Sequence, residues 1–426
     1  MSGRRTFFVE TLGCPKNQVD SDKLVGTFLA DGLAPADSAE VADLVVVNTC
    51  AFIEEARQES IDVVLALAER KHSNAELVVT GCMAERYGEE LATALPEVDV
   101  VAGFGVPVTL GRKPGAVPLP AFDLLNLPRP ASAVPWAYVK VAEGCDKACG
   151  FCAIPSFRGP QRSRTSDQII TEVDELAAGG AKEIVLVAQD LASYGRDQGK
   201  GTKDLVPLIE SVAARVERVR LLYLYPSDLT ERLVDAIVAT GVPYFDLSLQ
   251  HVSASLVRRM RRWGDGAKFL QRIEAIRAIA PDAAFRSNFI VGYPGETEDD
   301  HDQLLAFVDA AQLDWCGFFA YSREDGTYAA DLDGTVPRAL MDERLAELRE
   351  RQDTITAARR DDLIGSVVDV LIDAPGVARS HREAPEIDGI ITVSSDLEVG
   401  DLVTIRITGA EGPDLYGEAV ELVTQR

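Results

Sequence analysis

The chain has 426 residues, of which 46% are hydrophobic and 26% charged, and its formal net charge is −25 at pH 7. These proportions are typical of a globular protein, and the length corresponds to roughly three domains. We see neither a transmembrane run nor a signal peptide, so we expect a cytoplasmic protein without a membrane partner. The acidity argues against a protein that holds nucleic acid by broad phosphate neutralisation. Two explanations of the negative charge are equally good: an organism whose proteins are all highly acidic, or a preference for a basic protein partner.

The first block, residues 1–112, alternates strand and helix patterns. The apolar runs Thr6–Leu12, Asp43–Asn48 and Glu76–Thr80 are typical of buried parallel strands, and Glu54–Arg70 has helical spacing. Because strands and helices alternate, the pattern predicts an α/β domain with a doubly wound sheet.

The next segment, residues 113–135, contains six prolines and no sustained periodicity, which predicts an extended linker. The block 136–363 then returns to alternating strands and helices. Six βα units fit a partial barrel better than an open sheet. The predicted strands are Ala137–Ala142, Glu183–Ala188, Val219–Tyr225, Tyr244–Leu249, Ala284–Val291 and Trp315–Tyr321.

The last block, residues 364–426, has short β-rich runs separated by Gly, Pro and Asp. Several such runs in about sixty residues predict a small antiparallel barrel. The runs are Val367–Ile372, Ile390–Val393, Leu402–Thr408 and Tyr416–Val423.

Three of the seven cysteines form the motif Cys145-x-x-x-Cys149-x-x-Cys152. Three thiolates on one short loop can hold three irons of a cubane and leave the fourth iron open to a chelating substrate. Zinc normally takes four ligands and so fits less well, and chance proximity is the other alternative. The loop follows the first barrel strand, at the end where active sites of βα barrels lie. We therefore expect a [4Fe–4S] cluster here.

This spacing, with Phe151 before the third cysteine, resembles the radical S-adenosylmethionine (SAM) superfamily. The resemblance implies that SAM chelates the open iron and is cleaved to a radical that abstracts hydrogen from unreactive carbon. It also implies SAM contacts at the turn before the second strand and at strand ends, although ordinary helix caps would look similar. The candidate SAM contacts are Gly180, Glu183, Gln189, Gln250 and Gly292.

Cys14, Cys50 and Cys82 are far apart in sequence, but each stands at the carboxyl end of a predicted parallel strand. In an open α/β sheet those ends meet at one crevice, so three thiolates there make a second cubane site with an open iron. The alternative is three unrelated structural cysteines. The seventh cysteine, Cys316, stands alone in an apolar run and is interpreted as a small buried residue.

The whole chain thus resembles the methylthiotransferase family of radical SAM enzymes, which join a three-cysteine N-terminal domain, a radical SAM barrel and a TRAM domain. The resemblance implies two [4Fe–4S] clusters, the N-terminal one providing sulfur. It implies that one SAM methylates this sulfur, that another generates the radical, and that a donor such as flavodoxin supplies electrons. We expect no catalytic side chains beyond the cluster ligands.

Three local sequences resemble the RimO-type branch, which modifies an aspartate of a ribosomal protein, more than the tRNA-modifying MiaB-like branch. The first is Thr11-Leu12-Gly13-Cys14-Pro15-Lys16-Asn17, where the tRNA branch typically has Gly-Cys-Gln-Met-Asn. The second is Ile154-Pro155-Ser156-Phe157-Arg158-Gly159, where that branch typically has Pro-Tyr-Thr-Arg-Gly, and the third is Ala384-Pro385-Glu386-Ile387-Asp388-Gly389. The resemblance implies methylthiolation of the aspartate β-carbon in ribosomal small-subunit protein number twelve, free or on the ribosome.

Charge tests this choice of acceptor independently. Residues 364–426 contain twelve Asp or Glu against four Lys or Arg, a net charge of −8. An RNA-binding barrel should carry a basic face, whereas an acidic one suits a basic ribosomal protein, or is simply solvated. Arg158, Arg162 and Arg164 beside the predicted cluster are candidates to contact the acceptor carboxylate, SAM or only solvent.

Two other functions are alternatives to methylthiolation of a ribosomal protein. A tRNA adenosine methylthiotransferase would use the same chemistry on a different acceptor. A non-catalytic iron–sulfur redox sensor would bind a partner through the terminal barrel without cleaving SAM.

Overall fold

The computed structural model describes residues 5–110, 123–199 and 204–420. Within these ranges no helix is both long and apolar enough to cross a membrane. In the first block five parallel strands form one sheet in the order β2-β1-β3-β4-β5. The strands are β1 Thr6–Thr11, β2 Ala34–Pro35, β3 Leu44–Thr49, β4 Glu76–Gly81 and β5 Val100–Ala102. The helices are α1 Pro15–Ala30, α2 Glu54–Arg70 and α3 Cys82–Ala94.

Helices cover both faces of this sheet, which is why the central strand β3 is apolar along most of its length and buried throughout. Leu24 and Phe28 of α1 pack on one face. Val64 of α2 and Leu91 of α3 pack on the other. The predicted doubly wound domain is therefore confirmed, and its strand order reverses between β1 and β3, where such sheets bind ligands.

The central block contains eight strands and eight helices among the described residues. The strands are β6 Trp136–Lys140, β7 Ala142–Glu143, β8 Arg162–Ser163, β9 Glu183–Val187, β10 Arg218–Leu221, β11 Tyr244–Gln250, β12 Ala284–Val291 and β13 Trp315–Ala320. The helices are α4 Ile154–Arg158, α5 Ser166–Ala178, α6 Leu205–Ala213, α7 Glu231–Ala239, α8 Ala254–Arg259, α9 Gly266–Ile279, α10 Glu298–Ala311 and α11 Arg338–Asp361.

Six of these strands build the predicted partial barrel. The parallel sheets β6-β9-β10 and β11-β12-β13 are joined by a bridge between Leu224 and Leu247. No pairing joins β6 to β13 in the described part of the chain, so the barrel is open at that edge. Helix α1 of the first block packs against β6, and its Val19 joins the apolar cluster inside the barrel. The first domain therefore docks directly on the barrel.

The segment before the barrel is described only from residue 123, so the prolines at 114, 118 and 120 lie outside the described residues. From residue 123 onwards the segment packs on α1 rather than standing free. The buried Lys23 ammonium donates to the carbonyls of Leu125 and Leu127, each at 2.9 Å. A Cβ on Gly26 would lie 2.5 Å from the Pro128 carbonyl oxygen, so the close approach requires glycine.

The C-terminal block is a closed barrel of five strands in the order β14-β15-β16-β18-β17. The strands are β14 Val367–Ala374, β15 Val377–Arg379, β16 Ile391–Thr392, β17 Leu402–Glu411 and β18 Asp414–Ala419. Every pairing is antiparallel as predicted except that of β16 with β18, which is parallel. The prediction missed β15 because its three residues are too short to show periodicity.

The loop between β15 and β16 closes the amino-terminal end of the central barrel. The Tyr138 hydroxyl donates to the Pro385 carbonyl at 2.8 Å, and the Trp315 indole donates to the Arg382 carbonyl at 2.7 Å. Ala384 joins the apolar cluster inside the barrel. Because water is excluded from this end, ligands must enter at the opposite end, where the strands terminate.

A buried ionic cluster holds the same junction together. Glu183, the first residue of β9, accepts from Arg220 at 2.7 Å and from Arg379 at 3.1 Å, and all three side chains are buried. Burial favours the neutral acid, yet the two guanidinium groups hold the pKa of Glu183 at about 2. Asp373 also pairs with Arg379, so two carboxylates balance the two guanidinium groups. Removing Glu183 leaves Arg220 buried without an ion-pair partner and Arg379 with Asp373 alone.

We predict that Glu183→Gln destabilises the protein by about 3–5 kcal/mol, because the buried Arg220 loses its ion-pair partner and Arg379 keeps only Asp373. The matched control is Glu217→Gln, which breaks the exposed 2.9 Å pair with Lys182 and should cost at most about 1 kcal/mol. Anaerobic urea unfolding followed by circular dichroism measures both. Equal small shifts for the two variants would contradict the account.

Candidate active site

Cys14, Cys50 and Cys82 follow three neighbouring strands, β1, β3 and β4, and so lie at one edge of the N-terminal sheet. Gly13 (φ +95°) lets the first two loops approach, since a Cβ there would lie 2.9 Å from the Cys50 Cβ. The buried Asn17 amide donates to the Leu12 and Thr49 carbonyls, which ties these loops together. The structure thus brings together the first three predicted ligands.

Cys145, Cys149 and Cys152 lie on a loop at the carboxyl end of the first barrel strand. The short antiparallel pair β7–β8 brackets the loop. The Cys145 amide donates to the Gly159 carbonyl at 3.1 Å, and the Gly150 amide donates to the Met260 carbonyl at 2.8 Å. These backbone hydrogen bonds fix the start and the middle of the loop.

Each cysteine set offers three thiols, the donor type by which an iron–sulfur cluster is held. Among the described residues, no three His, Cys, Asp or Glu side chains converge as ligands of one ion would. A cubane places each thiolate on a different iron, so its ligands need not converge on a point. All-thiolate donor sets are also those that clusters select. The thiol donors fit the expected [4Fe–4S] cluster, and so does the close approach of the Cys14 and Cys50 loops that Gly13 allows.

Arg158 joins the two sets. Helix α4 starts two residues after Cys152 and carries Arg158 into the N-terminal domain. Its Nη2 and Nε donate to the Cys82 Sγ at 3.0 and 3.3 Å. Its Nη2 also donates to the Asn17 Oδ1 at 2.6 Å, and its Nη1 pairs with Glu143 at 2.8 Å. One buried guanidinium therefore spans the domain junction beside a cysteine of the first set.

The acids around Arg158 are shared with a second buried cation. Glu143 accepts from Lys140 at 2.6 Å and from the Gln189 amide at 2.7 Å. Asp20 pairs with both Lys140 and Arg158. Despite its burial, the two cations hold the pKa of Glu143 well below its usual range, so it remains a carboxylate.

The electrostatics differ among the thiols of the first set. Burial raises the pKa of Cys50 to about 12 and also raises that of Cys82. Burial acts in the same direction on Cys14, but the nearby Lys16 and Arg158 cations bring its pKa below the ordinary value. Cys14 is therefore the thiol of this set that most readily becomes a thiolate ligand.

The barrel mouth contains buried polar atoms that lack a partner within the described ranges. They are the Gln189 Oε1 at the end of β9, the Asn288 Oδ1 inside β12 and the Tyr321 hydroxyl after β13. Gln250 (φ 72°) and Tyr223 (φ 65°) hold strained left-handed backbone at two other strand ends. Unpaired acceptors and strain are typical of a ligand site, and they fit the amino group of SAM.

Gln189, Gln250 and Gly292 lie at carboxyl ends of barrel strands and remain candidate SAM contacts. Gly180 and Glu183 do not. Glu183 pairs in register with Trp136 at the start of β6, which places it and the turn before it at the end opposite the cysteine loop. The sequence prediction was wrong for these two, because a position before a strand and one after it look alike without the register.

The three arginines predicted to contact the acceptor differ in their surroundings. Arg158 is occupied as described, and Arg164 is buried against Glu172 at 2.6 Å and the Lys140 carbonyl at 3.0 Å. Neither can meet an acceptor, so those expectations were wrong. Arg162 keeps a side-chain exposure of 56% and pairs with Asp123, so its role stays a prediction.

Sequence reasoning missed Lys16, Asn17 and Glu143. The Cys-Pro-Lys-Asn run contains the first two, but nothing in their spacing predicted that they would face another domain. Cys316, in β13, packs against the barrel core as an apolar residue but is only partly buried, whereas the sequence predicted a buried one.

Comparisons with known proteins agree with this architecture. Residues 6–103 match the Uncharacterized protein family UPF0004, residues 139–308 the Radical SAM superfamily, and residues 355–420 the TRAM domain. The chain is 39% identical to ribosomal protein uS12 methylthiotransferase RimO of Kineococcus radiotolerans, over 99% of this chain and 98% of that protein. Its namesake in Moorella thermoacetica is 42% identical over 94% of this chain and 96% of that protein. The chain belongs to the RimO family.

The expected methylthiotransferase membership is thereby confirmed, and the RimO family's radical SAM barrel implies SAM and a [4Fe–4S] cluster. A solved structure of the radical SAM methyltransferase TsrM from Kitasatospora setae matches with a TM-score of 0.53 at 14% identity. The match covers 85% of this chain and 91% of that chain, and it shows a shared fold.

We predict that Arg158→Met lowers retention of the cluster at Cys14, Cys50 and Cys82 by about 10- to 100-fold, as loss of an outer hydrogen bond to a metal ligand typically does. Iron content and the electron paramagnetic resonance spectrum of the anaerobically reconstituted enzyme measure this loss. Arg162→Met is the matched control from the same segment and should keep full iron content. Full retention in both variants would contradict the prediction.

Proposed function

We propose that this RimO-family enzyme inserts a methylthio group at the β-carbon of an aspartate of ribosomal protein uS12. It uses SAM as methyl donor and radical source, together with two [4Fe–4S] clusters. Relatives of that name, 39–42% identical over nearly the whole chain, support the choice of acceptor. The observation that carries the proposal is Arg158, which leaves the cysteine loop of the barrel and donates to a cysteine of the N-terminal domain.

Cys145, Cys149 and Cys152 would hold the cluster that binds SAM, and Cys14, Cys50 and Cys82 the cluster that carries sulfur. When bound, these groups supply a 5′-deoxyadenosyl radical that removes hydrogen from the acceptor carbon, and a methylated sulfur that replaces it. The protein's own residues orient the two domains and enclose the barrel interior. Arg158, Asn17 and Glu143 lock the N-terminal domain over the barrel mouth, and the β15–β16 loop closes the other end.

The acceptor can approach from one side of the domain junction. A cleft opens between the start of α2 and the strand-end loops of the barrel, and Glu54, Tyr321, Arg323 and Arg338 are among its lining residues. The unpartnered Tyr321 hydroxyl connects this cleft to the barrel mouth. A protein loop fits such an entrance, and the net charge of −8 in residues 364–426 favours a basic ribosomal protein.

Three further features belong to the proposal. The enzyme acts in the cytoplasm, where its acceptor is made, on uS12 that is free or in the ribosome. A low-potential donor such as flavodoxin supplies electrons. Cluster chemistry of this kind needs no acid–base triad.

We predict that anaerobic turnover with SAM, sulfide and a reductant adds a methylthio mass to one aspartate of uS12 and none to tRNA, as mass spectrometry would detect. Cys145→Ala should abolish both 5′-deoxyadenosine formation and the mass gain. Cys14→Ala should abolish the mass gain while SAM cleavage persists, because it removes only the sulfur-carrying cluster.

Cys316→Ala is the matched control, since this cysteine packs beside the barrel core and should leave both readouts unchanged. A mass gain on tRNA adenosine alone would keep the chemistry and overturn the acceptor. SAM-independent binding of a partner, without any cleavage, would favour the redox sensor instead.

A further inference from the structure

Lys16 is a buried lysine whose side chain has no direct polar partner. Its exposure is 7%, and its Nζ forms no hydrogen bond or ion pair with the described residues. Its Nζ lies 3.2 Å above the centre of the Tyr223 ring. Burial lowers the pKa of Lys16, and the nearby Cys14, Asp246 and Cys82 act against this shift without forming a hydrogen bond to its Nζ. Burying an ammonium without hydrogen bonds is costly, so an unpartnered one indicates a missing ligand.

The neighbouring cations are all occupied. Lys23 pairs with Glu172 at 3.2 Å, and Lys140 with Asp20 and Glu143. Arg158 and Arg164 are paired as described above. Lys16 therefore differs from every buried cation around it in having donors to offer.

Its position places those donors at the barrel mouth. Lys16 lies two residues after Cys14 in the sequence. Tyr223 lies just after β10, at a strand end of the barrel. The Tyr223 amide donates to Asp246 at 2.9 Å, which holds the strained residue beneath the ammonium. The ammonium therefore lies between Cys14 of the N-terminal domain and a strand end of the barrel.

We propose that Lys16 binds the side-chain carboxylate of the acceptor aspartate, an inference that rests on the proposed function. An ammonium has three donors and no acceptor, so it prefers a carboxylate over a neutral amide. In a water-poor site this charge-assisted bond discriminates strongly between them. The bond also holds the β-carbon, one bond from the carboxyl carbon, beside the cysteines that would carry the sulfur.

The test pairs an enzyme substitution with an acceptor substitution. The acceptor probe is purified uS12, with the modified aspartate located by mass spectrometry and then replaced by Asn. Wild-type enzyme should bind the native protein and modify it with a kcat/KM about 30-fold or more above that for the Asn variant. In Lys16→Met, which keeps the chain length and removes the charge, this preference should fall to within about twofold. SAM cleavage, which depends on the cluster at Cys145, Cys149 and Cys152, should stay at the wild-type level, and activities are compared per N-terminal cluster bound.

Lys23→Met is the matched control, because it removes another buried lysine from α1 that faces a different partner. It should keep the full preference for aspartate even where it lowers stability. If Lys16→Met fails to fold, Lys16→Gln provides the same comparison.

Two outcomes overturn the inference. A preference for aspartate that survives in Lys16→Met means that another group binds the carboxylate. Loss of iron from the N-terminal site in Lys16→Met, with discrimination intact, means that Lys16 serves the cluster. Failure of wild-type enzyme to modify uS12 at all would instead overturn the proposed function, so the two failures are distinguishable.

Discussion

The buried guanidinium of Arg158 is the contact on which the site's geometry depends. It donates to a cysteine and an asparagine of one domain and to a glutamate of the other. A guanidinium is planar and always charged, so it can satisfy several acceptors in fixed directions without losing its proton. Because its removal would leave Glu143 and Asp20 buried with fewer cations, the domains are held in one docking arrangement. That arrangement sets the separation between the two groups of cysteines.

The two ends of the barrel use buried charge for different purposes. At the amino-terminal end, Glu183 and Asp373 together neutralise Arg220 and Arg379, and these pairs join the C-terminal domain to the barrel. At the carboxyl end, the buried Gln189 amide oxygen has no hydrogen-bond partner among the described residues, and the Lys16 ammonium contacts only the Tyr223 ring. A saturated network gives rigidity, whereas unsatisfied buried groups give a site that a ligand completes. Buried polar groups therefore stabilise the structure at the amino-terminal end of the barrel and are available to a ligand at the carboxyl end.

Much of the fold was predictable because its signals are local. Apolar runs such as those of β3 and β9 mark strands buried on both faces, and each predicted barrel strand lies within a few residues of the observed one. The Cys145–Cys152 spacing is also local. Gly180, Glu183, Arg158 and Arg164 were misassigned because their roles depend on register and on side-chain direction across a domain junction. Neither property leaves a mark on neighbouring residues in the sequence.

The sequence alone determined the three-block organisation, the strand-end positions of all six ligand candidates and the acidity of the last block. These follow from periodicity, spacing and composition, which do not depend on how the blocks meet. Only the tertiary structure decided which end of the barrel is open and that the C-terminal loop closes the other. It also decided that Arg158 forms its hydrogen bonds within the domain junction, whereas the Lys16 ammonium forms none with the described residues. These outcomes depend on contacts between residues far apart in the sequence, such as Arg158 with Asn17 and Tyr138 with Pro385, and only the folded chain brings those residues together.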